Sequence, residues 1–196
     1  MTIDMTNDMT NDMTNKVHLI LGGARSGKSS FAEKIAYETG KEVVYIATAT
    51  SQDDEMQDRI GRHKSDRPSH WVTVEEPLEL AQVVQHYASK NVCILVDCLT
   101  LWLTNILMQE SNVGSLAGYK KDLLDVLTLC VDSSSESSST VILVSNEVGQ
   151  GIVPLGELSR RFVDEAGWLH QDIAAIADQV TFVVAGLPMT LKMAWK

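Results

Sequence analysis

Five short runs of β-branched and apolar residues punctuate the chain beyond its first sixteen positions: Val17–Leu21, Val43–Ala47, Val92–Val96, Val141–Val144 and Val180–Val184. None alternates strictly with polar residues, so each reads as a strand buried on both faces, the pattern of a mostly parallel sheet. Helix-compatible stretches lie between them. Ser29–Thr39 ends at Gly40, a good residue just past a helix C-terminus, and Leu78–Ser89 follows Pro77. Leu99–Gln109, Leu116–Val131 and Leu155–Asp178 come next, the last long enough to hold a break at Gly167. Alternating strands and helices predict one α/β domain with a doubly wound sheet, right-handed crossovers and ligands beyond the carboxyl ends of the strands. The run Ser133–Ser139, interrupted by Glu136, reads as a flexible surface loop.

The pattern is different at the start. Residues 1–16 are four copies of one tetrad, MTID, MTND, MTND and MTNK, polar apart from methionine. They read as a disordered extension to a domain spanning 17–196, since a targeting segment requires an Arg-rich amphipathic or continuous apolar stretch. A chain of 196 residues supplies one such domain and not two comfortable ones. No apolar run approaches the roughly 20 residues that span a bilayer. A formal net charge of −10 argues against a nucleic-acid partner, which needs a basic surface, so any bound anion must be held locally. Cys93, Cys98 and Cys130 form no C-x-x-C pair and read as buried free thiols, which suits a cytoplasmic location.

One local anion site is evident. Gly22-Gly23-Ala24-Arg25-Ser26-Gly27-Lys28-Ser29 matches G-x-x-x-x-G-K-[ST], between an apolar strand and a helix. The bare pattern arises by chance in roughly one chain of this length per hundred, and the context lowers that further. Glycines let successive N–H groups converge on phosphate oxygens beside the positive end of the helix; Lys28 reaches the β and γ phosphates, and the Ser29 hydroxyl ligates Mg²⁺. Asp97 closes the run Val92–Val96 where a second Mg²⁺ ligand is expected, directly or through water. The alternative for Asp97 is an N-cap for the helix starting near Leu99. The N-K-x-D guanine signature is missing, with Asn146 standing in Ser-Asn-Glu-Val, so a switch-type GTPase is not expected.

Arg59, Arg62, Lys64 and Arg67 cluster around His63 in this acidic chain. If 53–67 is helical up to Pro68, Arg59, His63 and Arg67 share one face, while Met56 and Ile60 can pack against the sheet. Two readings stand: a second phosphate-contacting surface that brings a histidine to a nucleotide, or a solvated charged helix. Flanking cations favour the neutral, nucleophilic form of His63. His18, His70, His86 and His170 read as structural.

The phosphate loop, Tyr45-Ile-Ala-Thr48, Asp54-Glu-Met56, Arg59-Ile60, His63, Arg67-Pro68, His70-Trp71, Glu75, Asp97-Cys-Leu-Thr100, Asn105, Asn146-Glu-Val-Gly149, Gly151-Ile-Val-Pro154 and Arg161-Phe162 follow in order. From about Val17 to the C-terminus the chain resembles the bifunctional adenosylcobinamide kinase and adenosylcobinamide-phosphate guanylyltransferase. The resemblance implies a RecA-like P-loop fold with one antiparallel strand, a homotrimer, and two reactions in cobalamin nucleotide-loop assembly. ATP or GTP phosphorylates adenosylcobinamide; GTP then guanylylates a histidine, which passes GMP to adenosylcobinamide phosphate. That histidine corresponds to His63. Thr48, Ala49, Thr50, Lys64, Ser65, Asp66, Arg67, Glu75 and Asp97 carry over as nucleotide contacts. The tetrad extension lies outside the family pattern, and His170 stands where the family commonly has Asn. Rival readings are a P-loop kinase of another small alcohol and a non-catalytic nucleotide-binding module.

Overall fold

The computed structural model describes residues 16–50, 68–131 and 139–193. All five expected strands are present, as β1 (Val17–Gly22), β2 (Val43–Ala47), β4 (Cys93–Asp97), β5 (Thr140–Asn146) and β6 (Gln179–Val184). Two more join them, β3 (Val72–Glu75) and β7 (Leu187–Met193). The order across the sheet is β3-β2-β4-β5-β1-β6-β7, parallel throughout except for β7, which runs antiparallel to β6.

Among the described residues the helices are α1 (Lys28–Glu38), α2 (Leu80–Ala88), α3 (Leu99–Val113), α4 (Leu116–Val131) and α5 (Glu157–Ile176). Gly40, at φ +65°, terminates the α1 segment as expected of a residue that adopts the left-handed region without strain. Gly167 does not break α5, which runs on for 20 residues; a β-carbon there would meet nothing within 4 Å, so the position imposes no kink.

Two apolar layers sandwich the sheet. Val17, Leu19, Ile94, Val96, Val141 and Leu143 face the layer holding α2, α3, α4 and α5, in which Trp102, Leu103, Leu123, Leu127 and Ile173 are fully buried. Ile20, Tyr45, Cys93, Leu95, Ile142 and Val144 face α1, through Ala32 and Ala36. The division of the described helices follows from connectivity. From β1 the chain moves toward the β3 edge, and from β3 onward each helical crossover moves back the other way, so right-handed connections put α1 on one side and α2, α3, α4 and α5 on the other.

The register brings the strand ends to one edge, with Gly22 opposite Asn146, Ala47 opposite both Glu75 and Asp97, and Gly22 opposite Val183. That edge carries the candidate chemistry. Ser139 corrects the loop reading at its last residue: it is buried, its hydroxyl accepting from Val92 N and donating to Tyr87 O, while 132–138 lie outside the described residues. The tetrad array also lies outside them up to residue 15; the Lys16 backbone N–H donates to Asp178 Oδ2 at 2.9 Å.

Candidate active site

The phosphate loop turns out of β1 at Gly22 and into α1 at Lys28. Gly22 is required by space: a β-carbon there would lie 2.5 Å from Ser26 Oγ and 2.6 Å from the Val183 carbonyl oxygen. Gly27 is required by conformation, at φ +92°, and by the Gly186 Cα that a β-carbon would meet at 3.1 Å. Arg25 occupies the left-handed region at φ 55°, a strained conformation for a side-chain-bearing residue. Three backbone contacts hold the loop, one within it and two from outside. Ser26 N–H donates to Gly23 O at 3.3 Å, Gly186 N–H to Ser26 O at 2.8 Å, and Glu147 N–H to Gly22 O at 3.1 Å. The Lys28 side chain is buried, with Nζ 3.3 Å from Gly23 O, so the ammonium is folded over the loop backbone. Ala24 and Arg25 are exposed and Ser29 is half-buried. Gly22–Ser29 thus form one continuous cradle at the N-terminus of α1, where backbone N–H groups and the helix dipole favour an anion.

Asp97 is the last residue of β4 and does not cap the next helix: the N-cap of α3 is Cys98, with no side-chain cap. The N-cap alternative is removed. Asp97 falls on the α1 face, in phase with Cys93 and Leu95, and the Tyr45 hydroxyl donates to its Oδ2 at 3.0 Å. Two strand spacings of ~4.8 Å separate β4 from β1, placing Asp97 roughly 10 Å along the edge from Gly22. Glu75, exposed at the end of β3, is two strands farther out, at the opposite end of the edge from the cradle.

Thr48 is fully buried, and its hydroxyl is engaged by Cys98, donating to the carbonyl at 2.8 Å and accepting from the amide at 2.9 Å. Its visible work is to fix the backbone next to Asp97. Thr50 Oγ1 donates to Asn105 Oδ1 at 3.0 Å, and Asn105 Nδ2 donates to Thr48 O and Pro77 O; Ala49 is half-buried between them. His63, Lys64, Ser65, Asp66 and Arg67 lie outside the described residues, as do Arg59 and Arg62.

Several polar groups at this edge carry no site role in the sequence analysis. Asn146 Nδ2 donates to Thr100 Oγ1 at 3.2 Å, while its buried Oδ1 has no hydrogen-bond partner among the described residues. Behind it, Ser145 Oγ and His170 Nε2 are 2.7 Å apart, with Glu147 Oε2 3.7 Å from His170 Nδ1. Burial lowers the His170 pKa and the Glu147 carboxylate works against it. His18, bonded to Thr181 Oγ1 at 2.8 Å, is lowered to about 4 by burial alone. Cys93 is pushed up to about 12 by burial, so its thiol is chemically quiet. The signal for Tyr45 was present in the sequence: a phenol inside a fully apolar strand needs a hydrogen-bond partner.

With this geometry in view, residues 18–191 match the profile of the cobinamide kinase / cobinamide phosphate guanyltransferase family, CobU. The chain belongs to that family. It is 56% identical over 174 residues to the bifunctional adenosylcobalamin biosynthesis protein CobP of Pseudomonas aeruginosa, covering 89% of this chain and 96% of that one. It is 37% identical over 179 residues to the bifunctional adenosylcobalamin biosynthesis protein CobU of Salmonella typhimurium, covering 89% and 98%. Among solved structures, the flagellar accessory protein FlaH of Methanocaldococcus jannaschii superposes with a TM-score of 0.51 at 14% identity, over 91% of this chain and 79% of its own. A type III secretion ATPase superposes with a TM-score of 0.55 at 12% identity, over 89% of this chain and 56% of its own. These two likenesses bear on the fold alone, and with the mostly parallel sheet they make it a RecA-like P-loop fold.

Proposed function

We propose that this chain is a bifunctional enzyme that phosphorylates adenosylcobinamide and then converts the phosphate to adenosylcobinamide-GDP. The observation that carries this reading is the built phosphate cradle, with Lys28 over it and Asp97 on the same face of the sheet, within a chain that matches the family from end to end of its fold. In the first reaction the aminopropanol hydroxyl of adenosylcobinamide attacks the γ-phosphorus of ATP or GTP. The new O–P bond forms as the bridging bond to the β-phosphate breaks, and the nucleoside diphosphate leaves. In the second, a His63 ring nitrogen attacks the α-phosphorus of GTP, and pyrophosphate departs. A phosphate oxygen of adenosylcobinamide phosphate then displaces the histidine from that phosphorus, forming the diphosphate link and restoring His63.

Gly22–Ser29 hold the polyphosphate, and Lys28 offsets the negative charge that builds on the departing group. Among the described residues no three His, Cys, Asp or Glu side chains cluster as a metal cage. A hydroxyl from Ser29 and a carboxylate from Asp97 are instead the sparse, hard-oxygen donor set that suits Mg²⁺, which keeps several waters and takes its other ligands from phosphate. The unpartnered Asn146 Oδ1, an acceptor at the same edge, is compatible with a hydrated ion. When bound, Mg²⁺ would neutralise phosphate charge. Ala49, Thr50, Lys64, Ser65, Asp66, Arg67 and Glu75 make up the remaining nucleotide-side surface of this reading, with the buried Thr48 fixing the backbone beneath it.

The assembly is a homotrimer in the same reading. Exposed Leu187, Met189, Leu191 and Met193 along the β7 edge, with Ile152, Val153 and Leu155 before α5, supply apolar surface for subunit contacts. Cys93, Cys98 and Cys130, none of them in a disulfide, accord with the cytoplasm. The deciding experiment incubates the protein with GTP labelled at the α- or γ-phosphate. Label retained covalently from the α position alone, and GMP transfer dependent on adenosylcobinamide phosphate, are expected; γ-label on the protein, or no acceptor-dependent turnover, overturns the assignment.

A further inference from the structure

Tyr45 is a bulky polar side chain in an otherwise apolar strand, and only 2% of it is exposed. Its ring lies in the α1-side layer among Ala32, Ala36, Leu95 and Cys98. Packing alone would be served as well by phenylalanine. What distinguishes tyrosine is the hydroxyl, and the register explains where it goes. Tyr45 lies directly opposite Leu95, and Asp97 is the next residue of β4 on the same face, the diagonal neighbour that a long aromatic side chain can reach. The hydroxyl arrives at Asp97 Oδ2 at 3.0 Å.

Asp97 needs such a partner. A lone carboxylate at a strand end rotates about its terminal torsion, and a cation that takes few protein oxygens depends on each being aimed. Here one oxygen is tied to a buried phenol whose own ring is fixed by the core, so the direction in which Oδ1 presents its lone pairs is set by the packing of β2. The backbone that follows Asp97 is pinned as well, by the Thr48 hydroxyl bonded to the amide and carbonyl of Cys98. We propose that Tyr45 is a positioning residue for both phosphate-transfer reactions, orienting the Asp97 carboxylate toward the divalent cation of the nucleotide complex. The inference rests on the reading of Asp97 as a metal ligand. It assigns a role in metal affinity to a residue that never touches the metal.

The test is the substitution Tyr45→Phe, which removes one oxygen atom and leaves the ring in place. Binding of Mn²⁺ to the protein with a non-hydrolysable GTP analogue, followed by electron paramagnetic resonance, is the primary readout, with Mg²⁺ half-saturation of both transfer reactions beside it. Loss of a residue that orients a metal ligand weakens metal binding by about 10–100-fold. We expect that loss in Tyr45→Phe, with the metal-free affinity for GTP unchanged within about twofold and activity recovered by raising Mg²⁺. A purely structural tyrosine gives the opposite pattern, a lowered melting temperature and weakened metal-free nucleotide binding with Mn²⁺ affinity intact, and that result overturns the proposal. Asp97→Asn separates the two layers of inference. If Asp97→Asn weakens Mn²⁺ binding and Tyr45→Phe does not, Asp97 keeps its role and Tyr45 loses its own. If neither changes it, both assignments fall. In the double variant, Tyr45→Phe should add little to Asp97→Asn, because its effect travels through that carboxylate; a fully additive loss also refutes the coupling.

Discussion

Substituting Gly22 and Gly23 separately by alanine asks whether the phosphate loop is shaped by packing or merely tolerates glycine. The two residues are adjacent, yet a β-carbon at Gly22 would sit 2.5 Å from Ser26 Oγ and 2.6 Å from Val183 O, whereas one at Gly23 would meet nothing within 4 Å. Ser26 Oγ belongs to a short side chain that can rotate, but Val183 O is backbone of β6, paired in register with Gly22. Relief therefore requires the end of β1 to shift against β6 by most of an ångström. Forcing extra volume into a packed site costs typically about 1–3 kcal/mol, from which the lower chain entropy of alanine returns about 0.5–1 kcal/mol. The net cost is about 0–2.5 kcal/mol; for a domain of this size each kcal/mol moves the melting temperature by about 2–4 °C, so Gly22→Ala should melt lower, by up to about 10 °C. Gly23→Ala, with the same entropy return and no clash, should melt no lower than the parent protein and up to about 4 °C higher. Because the same shift distorts the cradle, Gly22→Ala should also bind a fluorescent GTP analogue far more weakly. Thermal melts and titrations on the pair check this, and equal melting with normal binding in Gly22→Ala would show that the loop is not constrained by β6 in the way described.

Lys28→Ala should lower both the kinase and guanylyl-transfer rates by roughly 10²-fold, the scale for losing one positioned charge stabiliser; a selective loss of kinase turnover would require separate nucleotide sites. His63→Ala should abolish the acid-labile, alkali-stable GMP adduct while phosphorylation of adenosylcobinamide continues, since the hydroxyl attacks the γ-phosphorus without it; an adduct forming at the normal rate would redirect peptide mapping to Lys64 and His70. Acid should destabilise the fold through His18, whose pKa is about 4 when folded against 6.5 in the unfolded chain. Between those values the unfolded state binds the extra proton, so stability falls as pH drops from 6.5 toward 4, by roughly 3 kcal/mol for the full shift. In urea titrations His18→Gln, which retains a group able to bond Thr181, should flatten that acid limb, and an unchanged limb would assign it to other groups.

The parts of the fold that were legible in the sequence are those buried on both sides. Five apolar runs became β1, β2, β4, β5 and β6 because each lies inside the sheet, where both side-chain directions meet a helical layer. The two strands that were not read are edges. Val72–Glu75 alternates half-buried with exposed positions over only four residues, and Leu187–Met193 contains Pro188 and is almost wholly exposed. Neither offers an apolar run, and edge strands are where proline and short length are tolerated. Ser139 misled for the converse reason: a serine at the end of a polar run is buried because two backbone groups, Val92 N and Tyr87 O, meet its hydroxyl there. The phosphate loop was legible because its residues are contiguous and its chemistry is done by backbone. Asp97 was legible by position, at the end of a buried strand. Tyr45, Asn105 and Asn146 stood in the motifs, and Tyr45 as a phenol in an apolar strand called for a partner, but which groups they bond was not legible, because those partners lie 52, 57 and 46 residues away in sequence.

An acidic chain that handles nucleoside triphosphates must confine its attraction for anions to a small region, and the connectivity supplies one. Reversal of direction after β1 puts α1 on the opposite face of the sheet from the other four described helices, so its N-terminus reaches the strand ends that carry Gly22, Asp97 and Asn146 from that face. With a net charge of −10, long-range attraction of polyphosphate is absent, and binding in the proposed reading rests on short-range contacts that are least weakened by salt: backbone N–H groups, the buried Lys28 and the carboxylate proposed to hold a cation. Two chemically different displacements, at the γ- and α-phosphorus, can then share one cradle, because the loop grips the polyphosphate as a whole and leaves the choice of phosphorus to the nucleophile brought beside it. The polar ties around the cradle, from Gly186 behind the loop to Tyr45 beneath Asp97, keep that grip fixed while the nucleophile changes from a hydroxyl to a histidine.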